Sequence, residues 1–167
     1  MPKRPEPTPV EQALKLLGHR SLTMRQLEQA LARKGMVREA RDAALARVRE
    51  LGYIDDAEVA KVRAERLLAK GDAPRLVARR LRAQGVAAVT AEAASVEAAS
   101  GASEAELVAR ALERKLRGRP IGDERDRQRL FRALLQRGHR AGAVAKALNL
   151  AGNEQSEACT DGLDEEG

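Results

Sequence analysis

The sequence has almost no aromatic side chains and only one cysteine. Aromatics make up 1% of its 167 residues, and tryptophan is absent. A chain with so little aromatic bulk must build its core from small and aliphatic side chains, which requires close packing of its elements. The single cysteine, Cys159, excludes an intrachain disulfide bond and a cysteine-based metal site.

Long apolar runs and β-branched runs of strand length are also missing. No stretch approaches the roughly 20 apolar residues that a membrane-spanning helix needs, and the proline-rich start lacks the apolar segment of a signal peptide. We therefore expect a cytoplasmic protein with no membrane partner. Alanine, leucine, arginine and glutamate dominate instead, and because these residues favour helices, the sequence predicts an all-α fold.

The charges are unevenly distributed along the chain. Lysine and arginine number 31 against 25 aspartates and glutamates, which gives a net charge of +6. The excess positive charge lies in the middle and later parts of the chain up to residue 150, whereas residues 151–167 carry only negative charge. Such asymmetry indicates a polyanionic partner, with nucleic acid phosphates as the first candidate.

An apolar pattern that ends in glycine recurs three times along the chain. Its copies are Leu27, Leu31 and Gly35, then Val77, Leu81 and Gly85, then Leu130, Leu134 and Gly138. An apolar-periodic helix precedes and follows each copy, so we infer three tandem repeats of three helices. One such unit buries too little surface to be stable alone, so the repeats should stack into an elongated array.

The predicted repeats have definite limits. Residues 1–9 hold four prolines and are expected to form a disordered arm, and residues 151–167 a disordered acidic tail. Ser21 or Thr23 is expected to open the second helix, with Gln26 completing a capping box at Thr23, and Ser103 with Glu106 is expected to form another. The repeats should therefore occupy residues 10–55, 56–100 and 101–150.

The sequence contains no recognisable catalytic constellation. His19 and His139 each stand beside a glycine and an arginine at a predicted helix boundary, which is typical of exposed polar residues. Asp55 and Asp56 precede a helix, where carboxylates cap backbone N–H groups, and no histidine or carboxylate cluster accompanies them. A glycine-rich phosphate loop is absent. The sequence therefore predicts a protein that is not an enzyme and that binds no metal or cofactor.

Basic side chains on two consecutive helices are the best candidates for function. Arg75, Arg79 and Arg82 follow the i, i+4, i+7 spacing that places them on one helix face, and Lys61 and Arg63 add charge to the preceding helix. For any single arginine the alternative is a solvated face that keeps the protein soluble. As a cluster they favour contact with phosphates or an acidic protein, because the chain lacks the aromatics that stack nucleic acid bases.

The two large aromatic residues are expected to be structural. Tyr53 follows Gly52, which can take the left-handed conformation that ends a helix, and its ring is expected to pack across a repeat junction. Phe131 is expected to lie in the core.

One stretch of the sequence resembles a known family. The run LGYIDD at 51–56 leads through a basic helix to KGDAP at 70–74 and then to a glycine-terminated helix. This arrangement resembles the signature of the RecX regulatory proteins, and the likeness extends over about residues 10–150. The signature positions in this chain are Gly52, Tyr53, Asp55, Asp56, Pro74 and Gly85. The chain departs from the family pattern at Val59 and Asp72, where the family usually has aromatics.

The resemblance implies a monomeric protein of three tandem three-helix repeats that acts in DNA recombination, DNA repair and the SOS response. Such a protein binds the RecA recombinase filament, lies in its groove, and inhibits its recombinase, ATPase and coprotease activities. Under this interpretation, the five basic residues on the two helices contact the recombinase or DNA phosphates. The alternative, which rests on charge alone, is an independent helical DNA-binding module.

Overall fold

In the computed structural model, residues 7–160 are described, with side chains as far as Ala151. Between these limits the chain is all-α and contains no strand, as the sequence predicts. Nine helices follow one another in this range: α1 Pro9–His19, α2 Met24–Arg33, α3 Arg38–Glu50, α4 Asp56–Ala69, α5 Pro74–Ala83, α6 Ala88–Ala99, α7 Glu104–Leu116, α8 Glu124–Gln136 and α9 Ala141–Thr160. Their number and order are consistent with three repeats of three helices.

Side-chain caps begin several of these helices. The Thr23 hydroxyl accepts from the Gln26 amide at 3.2 Å, and the Gln26 side chain accepts from the Thr23 amide at 3.3 Å. Ser103 and Glu106 exchange the same pair of bonds at 3.3 and 2.7 Å. Both predicted capping boxes are therefore confirmed, and each satisfies donors that the first turn of a helix leaves unpaired.

The three glycines of the repeated pattern end their helices in the same way. Gly35, Gly85 and Gly138 have φ values of +79°, +94° and +87°. After each glycine, the next amide donates to the carbonyl of the leucine at the start of the last turn, at 3.3, 3.2 and 3.2 Å respectively. This left-handed stop, which glycine adopts without steric cost, gives the sequence repeat a structural counterpart.

The helices extend beyond the predicted limits at both termini. Helix α1 begins at Pro9 and is capped by Thr8, both within the predicted disordered arm. Residues 1–6 lie outside the described part. Helix α9 continues into the predicted acidic tail as far as Thr160, and residues 161–167 lie outside the described part. The difference at α9 arises because alanine, glutamate and glutamine in this stretch are good helix formers, whatever their charge.

The described chain is organised into two compact units. Unit 1 comprises the residues up to Ala64 together with Ala78–Ala94, and unit 2 comprises Glu65–Val77 together with the residues from Ser95 onward. Helices α4, α5 and α6 each contribute residues to both units. The two units therefore do not coincide with the three predicted repeats, which are defined by sequence pattern and helix order.

In unit 1, helices α1, α2 and α3 pack around an aliphatic core. Its buried members are Ala13, Leu22, Leu27, Leu31, Ala44, Val48 and Ile54. Tyr53 is not part of it: 59% of this residue is exposed, so the expectation that its ring packs into a junction is wrong. The neighbouring Ile54 takes the buried position instead, because the turn that starts at Gly52 points the aliphatic side chain inward.

In unit 2, helices α7, α8 and α9 pack around a second aliphatic core. Its buried members are Val108, Ala111, Leu112, Ile121, Leu130, Leu134, Val144 and Leu148. Phe131 is partly buried against this cluster, in line with its expected core position.

Candidate functional site

The five basic residues singled out by the sequence fall into two groups in the structure. Arg63 and Arg75 are held in hydrogen-bond networks with distant parts of the chain. Lys61, Arg79 and Arg82 are exposed and lie outside these networks, whereas Arg75 is exposed but bonded within one of them. The first group can therefore stabilise the fold, and the second can contact a partner.

The first junction lies within unit 1 and consists of Ser21, Thr23, Gln26, Arg63 and Gln84. The Arg63 guanidinium donates to the Ser21 carbonyl at 2.7 Å, to Gln26 Oε1 at 3.0 Å and to Gln84 Oε1. The Thr23 hydroxyl, which is fully buried, donates to the Gln84 carbonyl at 2.6 Å. These bonds connect the start of α2 to α4 and to the turn after α5.

Burial governs the electrostatics of Arg63. Desolvation is the main cause that lowers the pKa of its guanidinium; the Asp56 carboxylate opposes the shift, and nearby Arg20 adds to it. An arginine nevertheless stays charged in a protein, because its pKa starts far above neutral pH. Three acceptor groups compensate the burial of this cation, so Arg63 is built into the junction.

The second junction lies within unit 2 and consists of Gly71, Asp72, Arg75, Arg137 and His139. Arg75 donates from Nε to the Gly138 carbonyl and from Nη2 to the His139 carbonyl at 2.9 Å. The Ala73 amide donates to the Arg137 carbonyl at 2.8 Å. The turn after α8 is thus bound to the start of α5.

A buried ion pair stabilises the second junction. Asp72 is only 3% exposed, and its Oδ1 accepts from Arg137 Nη1 at 3.0 Å. The same Nη1 atom also donates to the Lys70 carbonyl. A carboxylate this deeply buried requires a cationic or hydrogen-bonding partner, because the cost of removing it from water is otherwise uncompensated.

His139 completes the second junction. It is 1% exposed, and its Nε2 donates to the Gly71 carbonyl at 3.0 Å. Burial lowers the pKa of the imidazole, and the bond to Gly71 opposes that shift. The prediction of an exposed histidine at 139 is therefore wrong. Neighbouring glycine and arginine indicate a helix boundary, but they carry no information about which distant turn covers it.

The two junctions use equivalent positions of the repeated pattern. A β-carbon on Gly85 would overlap Arg25 Cβ, and one on Gly138 would come within 2.8 Å of Leu76 Cβ. At Gly35, the first glycine of the series, a β-carbon would meet nothing within 4 Å. Gly85 and Gly138 therefore serve two purposes: they end a helix, and they let another helix approach the turn closely.

The signature residues have mainly structural positions. Asp55 Oδ1 accepts from the Ala57 amide at 2.8 Å and from the Glu58 amide at 3.3 Å, and so caps α4. Asp56 Oδ1 accepts from the Met24 amide at 2.8 Å. Gly52 has a φ of +71° after α3, and Pro74 is the first residue of α5. These contacts account for the signature without a ligand.

The remaining basic residues are exposed on α4 and α5. Arg82 forms an ion pair with Glu92 at 3.7 Å and keeps 47% of its side chain exposed. Lys61 and Arg79 are also exposed. All three belong to unit 1. An ion pair at this distance and exposure is weak, so it leaves Arg82 able to exchange Glu92 for an external anion.

The described residues contain neither a metal-binding cluster nor a membrane-spanning helix. No group of three or more histidine, cysteine, aspartate or glutamate side chains placed to hold a metal ion occurs there. None of the helices described combines the length and the apolar character that crossing a membrane requires.

Comparison with known proteins identifies the fold. No protein-family model matches the sequence, and no curated protein matches it. A crystal structure of RecX from Lactobacillus salivarius aligns with a TM-score of 0.64 and 14% identity, covering 86% of this chain and 94% of that one. A crystal structure of regulatory protein RecX aligns with a TM-score of 0.62 and 20% identity, covering 84% and 70%. The chain described here therefore has a RecX-like fold.

Proposed function

We infer that this chain binds the RecA recombinase filament and inhibits its recombinase, ATPase and coprotease activities. The observation that carries this proposal is the RecX-like fold, which extends over 84–86% of the chain. The LGYIDD run and the turn at 70–74, which resemble the RecX signature, support it independently of the fold.

The described residues favour binding over catalysis. They contain no cluster of three metal-ligating side chains, and His139 is buried and bonded to a backbone carbonyl. A regulator that works by occupying a surface needs exposed complementary charge instead. The excess of basic residues in this chain supplies such charge.

We assign recombinase contact to Lys61, Arg79 and Arg82. Arg63 and Arg75, which the sequence places in the same group, already donate to several acceptors within their own units. A partner would have to break those hydrogen bonds to recruit either arginine, and the loss of each bond offsets part of the free energy of the new contact. Their contribution is to position the helices that carry the exposed residues.

The experiment is a titration of this chain into the DNA-dependent ATPase reaction of RecA. Inhibition at well below one copy per recombinase supports the proposal, because a filament can be blocked at few points. Unchanged hydrolysis at a tenfold excess, with the helical circular dichroism spectrum intact, contradicts it. Raising the single-stranded DNA concentration is the control. If the chain inhibits only by covering the DNA, the added DNA should restore hydrolysis, whereas inhibition through the filament should persist.

A pair of charge-reversed variants tests the contact residues. Arg79→Glu with Arg82→Glu should weaken the inhibition about tenfold or more, since each exposed cation then repels an acidic partner surface. Arg125→Glu with Arg132→Glu on α8 is the matched control, because it changes the net charge equally at two exposed positions. Equal loss of inhibition in both variants would show that only net charge matters.

A further inference from the structure

A basic cavity of about 790 Å³ lies in unit 2, where it shares Arg137 with the second junction. It is formed by the last turn of α7, the residue after it, the turn between α4 and α5, and the end of α8. Its lining residues are Lys70, Ala111, Arg114, Lys115, Arg117 and Arg137. All of these except Ala111 are cationic, so the cavity concentrates positive charge from three parts of the chain.

Most of these cations have no side-chain partner among the residues whose side chains the structure describes. Arg137 is the exception, since it pairs with Asp72 at 3.0 Å. As far as Ala151, no ion pair or hydrogen bond engages the side chain of Lys70, Arg114, Lys115 or Arg117. Like charges that line one cavity repel one another, and an anion bound there relieves that repulsion.

The helix dipole accounts for only part of this cluster. Cations at the C-terminal end of a helix are stabilised by the partial negative charge there, which explains Arg114 and Lys115 in the last turn of α7. Lys70 follows the last residue of α4 and Arg137 is the C-cap of α8, so the same effect favours each of them at its own helix end. The dipole does not explain why the ends of three helices bring their cations to one cavity, whereas an external anion does.

Arg117 adds an independent observation. Its φ is +52°, and it is one of two residues other than glycine with a positive φ among the described residues. Helices usually end on glycine at such a position, because a β-carbon is strained there. Here Gly118 follows directly, yet the strained position is occupied by an arginine whose side chain lines the cavity. Strain of this kind is typical of functional sites.

We propose that this cavity binds the phosphate backbone of a nucleic acid strand. Guanidinium groups bind phosphate oxygens through paired hydrogen bonds, and the volume falls in the range of ligand sites and exceeds what a single phosphate fills. No aromatic residue lines the cavity, so it offers no stacking surface for bases, and binding does not depend on base sequence. The site acts without the recombinase, and its test is separate from that of recombinase inhibition.

The test compares two variants that each remove three positive charges. The cavity variant carries Arg114→Gln, Lys115→Gln and Arg117→Gly, and the control variant carries Lys15→Gln, Arg49→Gln and Arg125→Gln at exposed positions outside the cavity. Binding to a fluorescent oligothymidine is measured by anisotropy between about 50 and 300 mM KCl, without recombinase.

The cavity variant should bind oligothymidine at least tenfold more weakly, and the slope of log affinity against log salt should fall by about 2, at ~0.7 per lost phosphate contact. The control variant should change the affinity less than threefold. Equal weakening in both variants, or no detectable binding by the unmodified chain at the lowest salt, overturns the proposal.

A single variant and a second ligand complete the test. Arg117→Gly alone should raise the unfolding temperature, because it relieves a left-handed arginine, and should still weaken DNA binding; unchanged DNA binding counts against the site. Tripolyphosphate tests whether the cavity binds a free phosphate chain rather than the phosphates of a nucleic acid. If it binds the unmodified chain but not the cavity variant, while DNA binds both equally, the occupant is a free phosphate chain and the nucleic acid proposal is wrong.

Discussion

Gly138 lies directly against Leu76, so close that a β-carbon on residue 138 would come within 2.8 Å of Leu76 Cβ. This contact joins the turn after α8 to α5 within unit 2. In unit 1 the equivalent contact is between Gly85 and Arg25. The same position of the sequence repeat therefore forms both junctions, and the absence of a side chain is what permits each one.

Replacing Gly35 and Gly138 in turn should separate the two roles of these glycines, which are ending a helix and allowing a close contact. Gly35→Ala and Gly138→Ala both place alanine at a positive φ, which costs about 1–2 kcal/mol. Only Gly138→Ala adds overlap with a packed neighbour, for a further cost of about 1–3 kcal/mol. Urea unfolding should show the larger loss for Gly138→Ala. Equal losses would mean that Leu76 can move away from residue 138 without lowering the free energy of unfolding.

The effects of replacing Asp72 and Arg137, the buried ion pair of unit 2, should be coupled. Arg137→Gln leaves the buried Asp72 carboxylate without its cation, and we expect a loss of about 2–3 kcal/mol in the free energy of unfolding. The double variant with Asp72→Asn removes the stranded charge and should recover at least half of that loss. A double-mutant cycle in urea measures the coupling. Strictly additive losses would contradict a direct interaction between the two side chains.

His139 should make stability depend on pH near neutrality. Burial lowers the pKa of its imidazole in the folded chain, whereas the unfolded chain has the ordinary value of about 6.5. As pH falls below about 6.5, the unfolded chain therefore takes up the proton first, and stability decreases until the folded pKa is reached.

Urea unfolding between about pH 8 and 5 tests this expectation. His139→Gln should flatten the profile, and His19→Gln, at an exposed position, should leave it unchanged. A profile that stays equally steep without His139 would place its cause elsewhere.

The two groups of arginines should differ in their effect on stability. Arg63→Gln removes a guanidinium bonded to three acceptors and should destabilise the chain by about 1–3 kcal/mol. Arg79→Gln changes an exposed residue and should stay within about 0.5 kcal/mol of the unmodified chain. Thermal unfolding followed by circular dichroism measures both. Similar effects of the two changes would contradict the division of roles.

Local sequence patterns predicted the helices well. The spacing of leucine and glycine identified the three equivalent helix stops, and the capping boxes at Thr23 and Ser103 identified two helix starts. Each of these signals acts within a single turn, between residues that are close in the chain. Such short-range chemistry can be recognised directly in a sequence.

Contacts between distant residues could not be predicted in the same way. Arg63 and Arg75 are predicted from the sequence to join an exposed basic cluster, yet both donate to carbonyls more than 40 residues away in sequence. His139 is buried by a turn 68 residues distant. Helix periodicity shows which residues share a face, but it does not show which neighbouring element covers that face. The one available signal was the recurrence of glycine at equivalent repeat positions.

Action on the RecA filament itself, as we propose for this chain, is tested most directly by cosedimentation. The purified chain is spun with RecA filaments preassembled on single-stranded DNA, at physiological salt and with DNA alone as the control. We expect the chain to pellet with the filaments at saturable stoichiometry, and we expect Arg79→Glu with Arg82→Glu to reduce the pelleted fraction while Arg125→Glu with Arg132→Glu does not. A chain that stays in the supernatant with filaments, or pellets no more than it does with DNA alone, contradicts the claim.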